Sequence, residues 1–115
     1  MNKSIELTIT DYSKEVLEAK QEAVERFLHE AGLHLSGQAQ LELENDPRRI
    51  DTGNLRNSIS YEVDGMDVYV GTNVEYGIYV HEGTQRMAPN RFLRNAFDRN
   101  EEQVQRKLKE ALTGE

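Results

Sequence analysis

An α+β fold is predicted by the sequence: a small antiparallel sheet, made of an N-terminal strand plus a central hairpin, packed by a long N-terminal helix and a C-terminal helix. Three observations predict it. Apolar residues alternate with polar ones near the amino terminus and again in the middle of the chain, they recur at helical spacing in two long stretches, and an Asp-Gly pair divides the central alternating region.

Ile5, Leu7 and Ile9 alternate with Glu6, Thr8 and Thr10, which gives a first strand near 4–10 with one buried face. From about Tyr12 the period changes. Val16, Leu17, Val24, Phe27, Leu28, Ala31 and Leu35 fall on one stripe of a helix that the sequence carries from 12 to 44. Asp11 or Ser13 is placed to cap its start, and the Asp46-Pro47 step ends it. Unbroken, that helix would be about 50 Å long, whereas a compact chain of this size has a radius of gyration of roughly 13 Å. Either Gly32 and Gly37 bend or break it, or one end projects toward a neighbour. Ile59, Tyr61 and Val63 resume the alternation, Asp64-Gly65 turns the chain, and Val68 and Val70 return it, so 58–63 and 67–71 form the hairpin. The segment 71–84, GTNVEYGIYVHEGT, reads as a short strand or helical turn between loops. Leu93, Phe97, Val104, Leu108 and Ala111 then line one face of a helix from about Asn90 to Leu112.

The 115 residues suit a single domain, 1–115. There is no cysteine, which excludes disulfides, thiolate nucleophiles and cysteine-ligated zinc. The amino terminus has neither a signal-peptide core nor the roughly 20 apolar residues of a membrane span, so no membrane partner is expected. Net charge is −7, and acid is concentrated at the front, with 4 Lys/Arg against 10 Asp/Glu in 1–46 and 7 against 7 in 47–99. That balance argues against specific nucleic-acid binding, which rests on clustered positive charge. All the basic residues of 47–99 are arginines (48, 49, 56, 86, 91, 94 and 99), a choice that favours planar pairing at protein interfaces over diffuse attraction to phosphate. The acidic first helix is their natural counterpart, within a subunit or between subunits.

Residues able to carry chemistry are sparse. His29 and His34, five apart on a helix, project about 140° from each other and cannot share a metal without distortion. His81 beside Glu82, in a glycine-flanked loop, is better placed, but neighbours in extended chain point opposite ways. Ser58 and Ser60 lack a nucleophile elbow, and no phosphate-binding glycine loop is present. Glu15, Glu18, Glu22 and Glu25 line the helix face opposite the apolar stripe, which reads as a solvated face. No catalytic residue, cofactor or metal is assigned.

Three segments taken together carry a family resemblance: DTGNLRNSI at 51–59, VGTNVEYGIYVHEGT at 70–84 and MAPNRFLRNAF at 87–97. In order and spacing, with a long helix before and a helix after, they resemble the minor tail-joining or tail-completion proteins of long-tailed double-stranded-DNA phages and prophages. The third departs from the family pattern, which places proline before the Phe-Leu pair and again after the following arginine, where this chain has Arg91 and Asn95. The resemblance implies a structural protein of the virion neck or upper tail, made in the bacterial host cytoplasm. It acts by self-association in a ring and by contact with neighbouring neck, connector or tail proteins, without catalysis or cofactor. The residues it marks for structure or assembly are Asp51, Thr52, Gly53, Asn54, Leu55, Arg56, Tyr76, Tyr79, His81, Glu82, Gly83, Thr84, Phe92 and Leu93.

Physical chemistry gives these motifs roles independently. Asp51, Thr52 and Asn54 can bond nearby backbone N–H groups, and Gly53 permits a left-handed turn, so DTGN forms a rigid entry to a helical turn or strand that Leu55 and Ile59 anchor. Gly71, Gly77 and Gly83 allow close approach or positive φ, and Tyr76 and Tyr79 supply amphipathic surface for a core rim or interface. The competing reading is a small metal-dependent hydrolase or nuclease built on Glu82, His81 and Asp51. A regulatory binding module is disfavoured by the lack of a basic patch.

Overall fold

A computed structural model describes residues 3–8, 19–46, 53–65 and 67–113. Strand β1 spans Lys3–Thr8, helix α1 Gln21–Glu44, helix α2 Gly53–Ser58, strands β2 and β3 Ser60–Asp64 and Asp67–Thr72, helix α3 Gly77–Glu82 and helix α4 Phe92–Thr113. The sheet order is β1-β3-β2 and both pairings are antiparallel, with Leu7 opposite Val68 and Val63 opposite Val68 on the other side. The N-terminal strand therefore completes a sheet whose other two strands are the hairpin. Gly65, at φ 61, makes the hairpin turn, a conformation that costs a side-chain-bearing residue steric strain.

Helix α1 buries Val24, Phe27, Leu28, Ala31, Leu35, Ala39 and Leu43 on one stripe, as its sequence period requires. That stripe packs on β2, β3 and α4. From the hairpin come Val68 and Val70, and from α4 come Phe92, Leu93, Ala96, Val104, Leu108 and Leu112, closing one continuous core. The molecule is elongated, 50 × 22 × 21 Å, with a radius of gyration of 15.4 Å.

The structure narrows the alternatives for the long helix. The helix does not run unbroken from 12 to 44, because Lys20 has left helical conformation at φ −115, ψ 31 and α1 begins at Gln21. Nor do the glycines break it. Tyr61 of β2 lies across Gly32, where a Cβ would fall 2.5 Å from its ring, so this glycine provides room for the sheet. The Tyr61 hydroxyl is within hydrogen-bond distance, 3.1 Å, of His29 Nδ1. At its other end α1 stops at Asn45, whose N–H donates to the Leu41 carbonyl. Residues 9–18, including Glu15, Glu18 and the proposed caps Asp11 and Ser13, lie outside the described residues, as does Pro47.

Candidate functional site

The second and first motifs meet behind α1. Helix α2 exists because Asn54, Arg56, Asn57 and Ser58 offer little to bury while Leu55 is fully enclosed, so one turn suffices to drop that side chain into the core. The Gln40 side-chain amide donates to the Arg56 carbonyl at 3.2 Å, and Arg56 Nη1 pairs with Glu44 at 2.7 Å, fixing the turn to the end of α1. Gly53 opens this helix; the positive-φ glycines among the described residues are Gly65 and Gly83, so the left-handed role expected at Gly53 falls to other positions. Asp51 and Thr52 lie outside the described residues.

A relay of hydroxyls joins α2 to the end of β3. The Val74 N–H donates to Thr72 Oγ1 at 3.0 Å, Thr72 is hydrogen-bonded to Ser58 Oγ, and Ser58 Oγ donates to the Leu55 carbonyl at 2.6 Å. Thr72 is fully buried, and the relay gives its hydroxyl both a donor and an acceptor. Beside it, Gly77 packs so closely that a Cβ would meet Thr72 Cγ2 at 2.9 Å and Leu55 Cδ1 at 3.1 Å. The two motifs thus form one packed unit.

Gly77 opens α3, the helical alternative for the 71–84 segment. Its inner face buries Val80 and His81; its outer face leaves Tyr76, Ile78 and Tyr79 exposed, Tyr79 to 59%. Helical geometry also reverses the expectation that His81 and Glu82 diverge: His81 Nδ1 is 3.0 Å from Glu82 Oε1. On the other side of the ring, Nε2 accepts the Arg94 backbone N–H at 3.4 Å, in the first turn of α4, where helix N–H groups lack partners of their own. The ring also stands edge-on to Phe92, centroids 5.2 Å apart. With 2% exposure and both nitrogens engaged, His81 organises the start of α4.

The third motif closes the unit. Gly83 at φ 80 leads into a bridge between Thr84 and Met87, whose N–H groups and carbonyls pair in both directions. The Asn90 N–H returns to the Val80 carbonyl at 2.9 Å, and its side chain donates to Asp46 at 3.0 Å. Phe92 and Leu93 are then buried in the core. Asn90, the residue preceding Arg91, does the ordering, since its backbone and side chain together hold the chain before α4 starts at Phe92.

Three of the arginines find acid within the subunit: Arg56 meets Glu44 and Arg99 meets Glu42 at 2.5 Å, both in the last turn of α1, and Arg94 stands 4.0 Å from Asp98. Glu22 and Glu25 are exposed. Arg86 and Arg91 are exposed and form no ion pair among the described residues. Sequence reading missed the exposed apolar residues Ile78, Leu33 and Leu41. A helical projection of 76–82 would have placed Ile78 on the outer face beside Tyr79, and both leucines lie off the apolar stripe of α1.

Among the described residues no group of three His, Cys, Asp or Glu side chains could hold a metal ion, and every buried side-chain nitrogen or oxygen has a hydrogen-bond partner. No helix among the described residues is long and apolar enough to cross a membrane. Of the set Glu82, His81 and Asp51, the structure pairs Glu82 with the buried His81, and Asp51 lies outside the described residues.

Compared with known proteins, residues 4–83 match the profile of a family described as "Bacteriophage HK97-gp10, putative tail-component". That span takes in β1 from its second residue, α1, α2, the hairpin and α3, hence the whole of the first motif and all of the second except Thr84. Neither the curated proteins nor the solved structures contain a match.

Proposed function

The chain belongs to the HK97-gp10-like family of bacteriophage tail components, and from that premise we propose that it is a structural protein of the virion neck or upper tail that acts in head-tail joining or tail completion through assembly of several copies. The observation that carries this reading is the family match itself, because it covers, but for Thr84, the two motifs that the fold packs into one unit around Gly77. The character of that unit supports it. Its buried polar groups are paired internally, and among what it turns outward are Tyr76 and Tyr79 at α3 and Arg86 and Arg91 after it. Exposed tyrosines and arginines are the residue types that protein interfaces favour.

The test is genetic and visual. Deleting the gene from the phage or prophage that encodes this chain should leave filled heads and tails that fail to join, and supplying the protein in trans should restore infectious particles. Normal titre and normally joined particles from the deletion would reject the proposal.

A further inference from the structure

We propose that the aromatic surface of α3 in one copy docks on the outward face of α1 in the next, so that copies join head to tail. This rests on the reading above that several copies assemble. Two exposed apolar surfaces stand on the described residues. One is Tyr76, Ile78 and Tyr79 on α3, exposed to 37%, 41% and 59%. The other is Leu33 and Leu41 on α1, exposed to 68% and 46% and separated by Gly37, above which a Cβ would meet nothing within 4 Å. At spacings of four, these three residues lie along one side of the helix, opposite its buried stripe. The glycine leaves a dent flanked by leucines, a seat for an aromatic ring.

Charge decides which surface meets which. Helix α1 carries five glutamates against the single Arg26, a net of −4, whereas residues 75–99, which include the α3 surface, carry four arginines against Glu75, Glu82 and Asp98, a net of +1. The arginine-bearing stretch borders α3, since the Asn90 N–H reaches the Val80 carbonyl and the Arg94 N–H reaches His81. Glu30 of α1 and Arg86 and Arg91 beside α3 are exposed and make no ion pair among the described residues. Docking α3 on a second α3 would oppose arginines to arginines, and docking α1 on a second α1 would oppose carboxylates to carboxylates. Only the crossed arrangement sets opposite charges around both apolar contacts. Such a contact is heterologous: each copy retains one unused surface of each kind, and repetition continues until the rotation closes a ring.

The absence of cysteine makes the test direct. Full-length Leu33→Cys and Tyr79→Cys variants, distinguishable by mass, are mixed in equal amounts at high concentration and mildly oxidised. Mixed dimers exceeding the share given by random pairing are expected, and the Leu33→Cys/Tyr79→Cys double variant should yield a ladder beyond dimer. A random mixture, an excess of either like pair, or no cross-link at all would overturn the proposal. Gly37→Lys, introduced into the Leu33→Cys partner, fills the dent and repels the arginines. It should cut mixed dimer on the order of tenfold while the melting temperature is maintained; an unchanged yield would likewise overturn it. Failure here leaves head-tail joining standing, whereas a deletion phage that joins normally would reject that function and leave this contact intact.

Discussion

Gly32 of α1 and Tyr61 of β2 are in such close contact that the glycine's missing Cβ is what lets the helix lie on the hairpin. The nearest ring atoms are those closest to the tyrosine backbone, and the far end of the side chain is held near His29, so the ring cannot swing away cheaply. Gly32→Ala is therefore expected to destabilise the fold by about 1–2 kcal/mol, an overpacking cost of about 1–3 kcal/mol reduced by the better helix propensity of alanine. Gly37→Ala, over open space, should have the opposite sign and stabilise by up to about 1 kcal/mol. Denaturant unfolding of the two variants checks both; equal shifts would contradict the contact.

Thr72 tests the relay. Thr72→Val keeps the shape but leaves the Val74 N–H without its acceptor and Ser58 without its hydroxyl partner, at a cost of about 1–3 kcal/mol. Thr72→Ser retains the hydroxyl and should recover most of the hydrogen-bonding loss. A valine variant as stable as the parent would show that the relay does not hold the two motifs together.

His81 is expected in a single tautomer. Because Nε2 accepts the Arg94 N–H, the proton resides on Nδ1, facing Glu82. Nitrogen-15 spectra of the ring should show Nε2 as the unprotonated nitrogen; the reverse tautomer would sink the assignment. His81→Leu should cost about 1–3 kcal/mol and increase amide exchange at the start of α4 before other sites.

Gly83 and Gly65 separate two demands on a positive-φ position. At Gly65 there is free space within 4 Å, so Gly65→Asn should cost only a few tenths of a kcal/mol, roughly, since asparagine tolerates the left-handed region. At Gly83 a Cβ would meet the Met87 carbonyl oxygen and the Pro89 nitrogen at 2.9 Å, both backbone atoms. Gly83→Asn is expected to be the more damaging by at least about 1 kcal/mol. Comparable melting temperatures for the two would refute this.

The elements legible in the sequence were those set by local period: β1, the hairpin with its Asp64-Gly65 turn, the buried stripe of α1 and the whole of α4. The break at Lys20 was not legible, because neither proline nor glycine marks it and apolar spacing continues across it. Within the site, Leu55 was recognisable as an anchor, and the amphipathic Tyr76 and Tyr79 as residues for a core rim or an interface, where the structure leaves both exposed. The role of His81 was not, since it depends on an amide thirteen residues away being brought to its ring by the turn through Gly83. For the same reason the acid that meets Arg56 and Arg99 came from Glu44 and Glu42, which tertiary packing alone brings near.

The placement of β3 between β1 and β2 also sets an order in time. β2 and β3 are contiguous, but β1 finds its partner only when Leu7 meets Val68. During synthesis at about 5–20 residues per second, the first strand leaves the ribosome several seconds before its partner exists. It must wait unpaired while α1 and α2 are made, and the central strand has one open side until the two meet. Amide protection at Ile5 should accordingly lag behind that of the hairpin in refolding, and protection appearing at both together would show that the sheet closes in a single step.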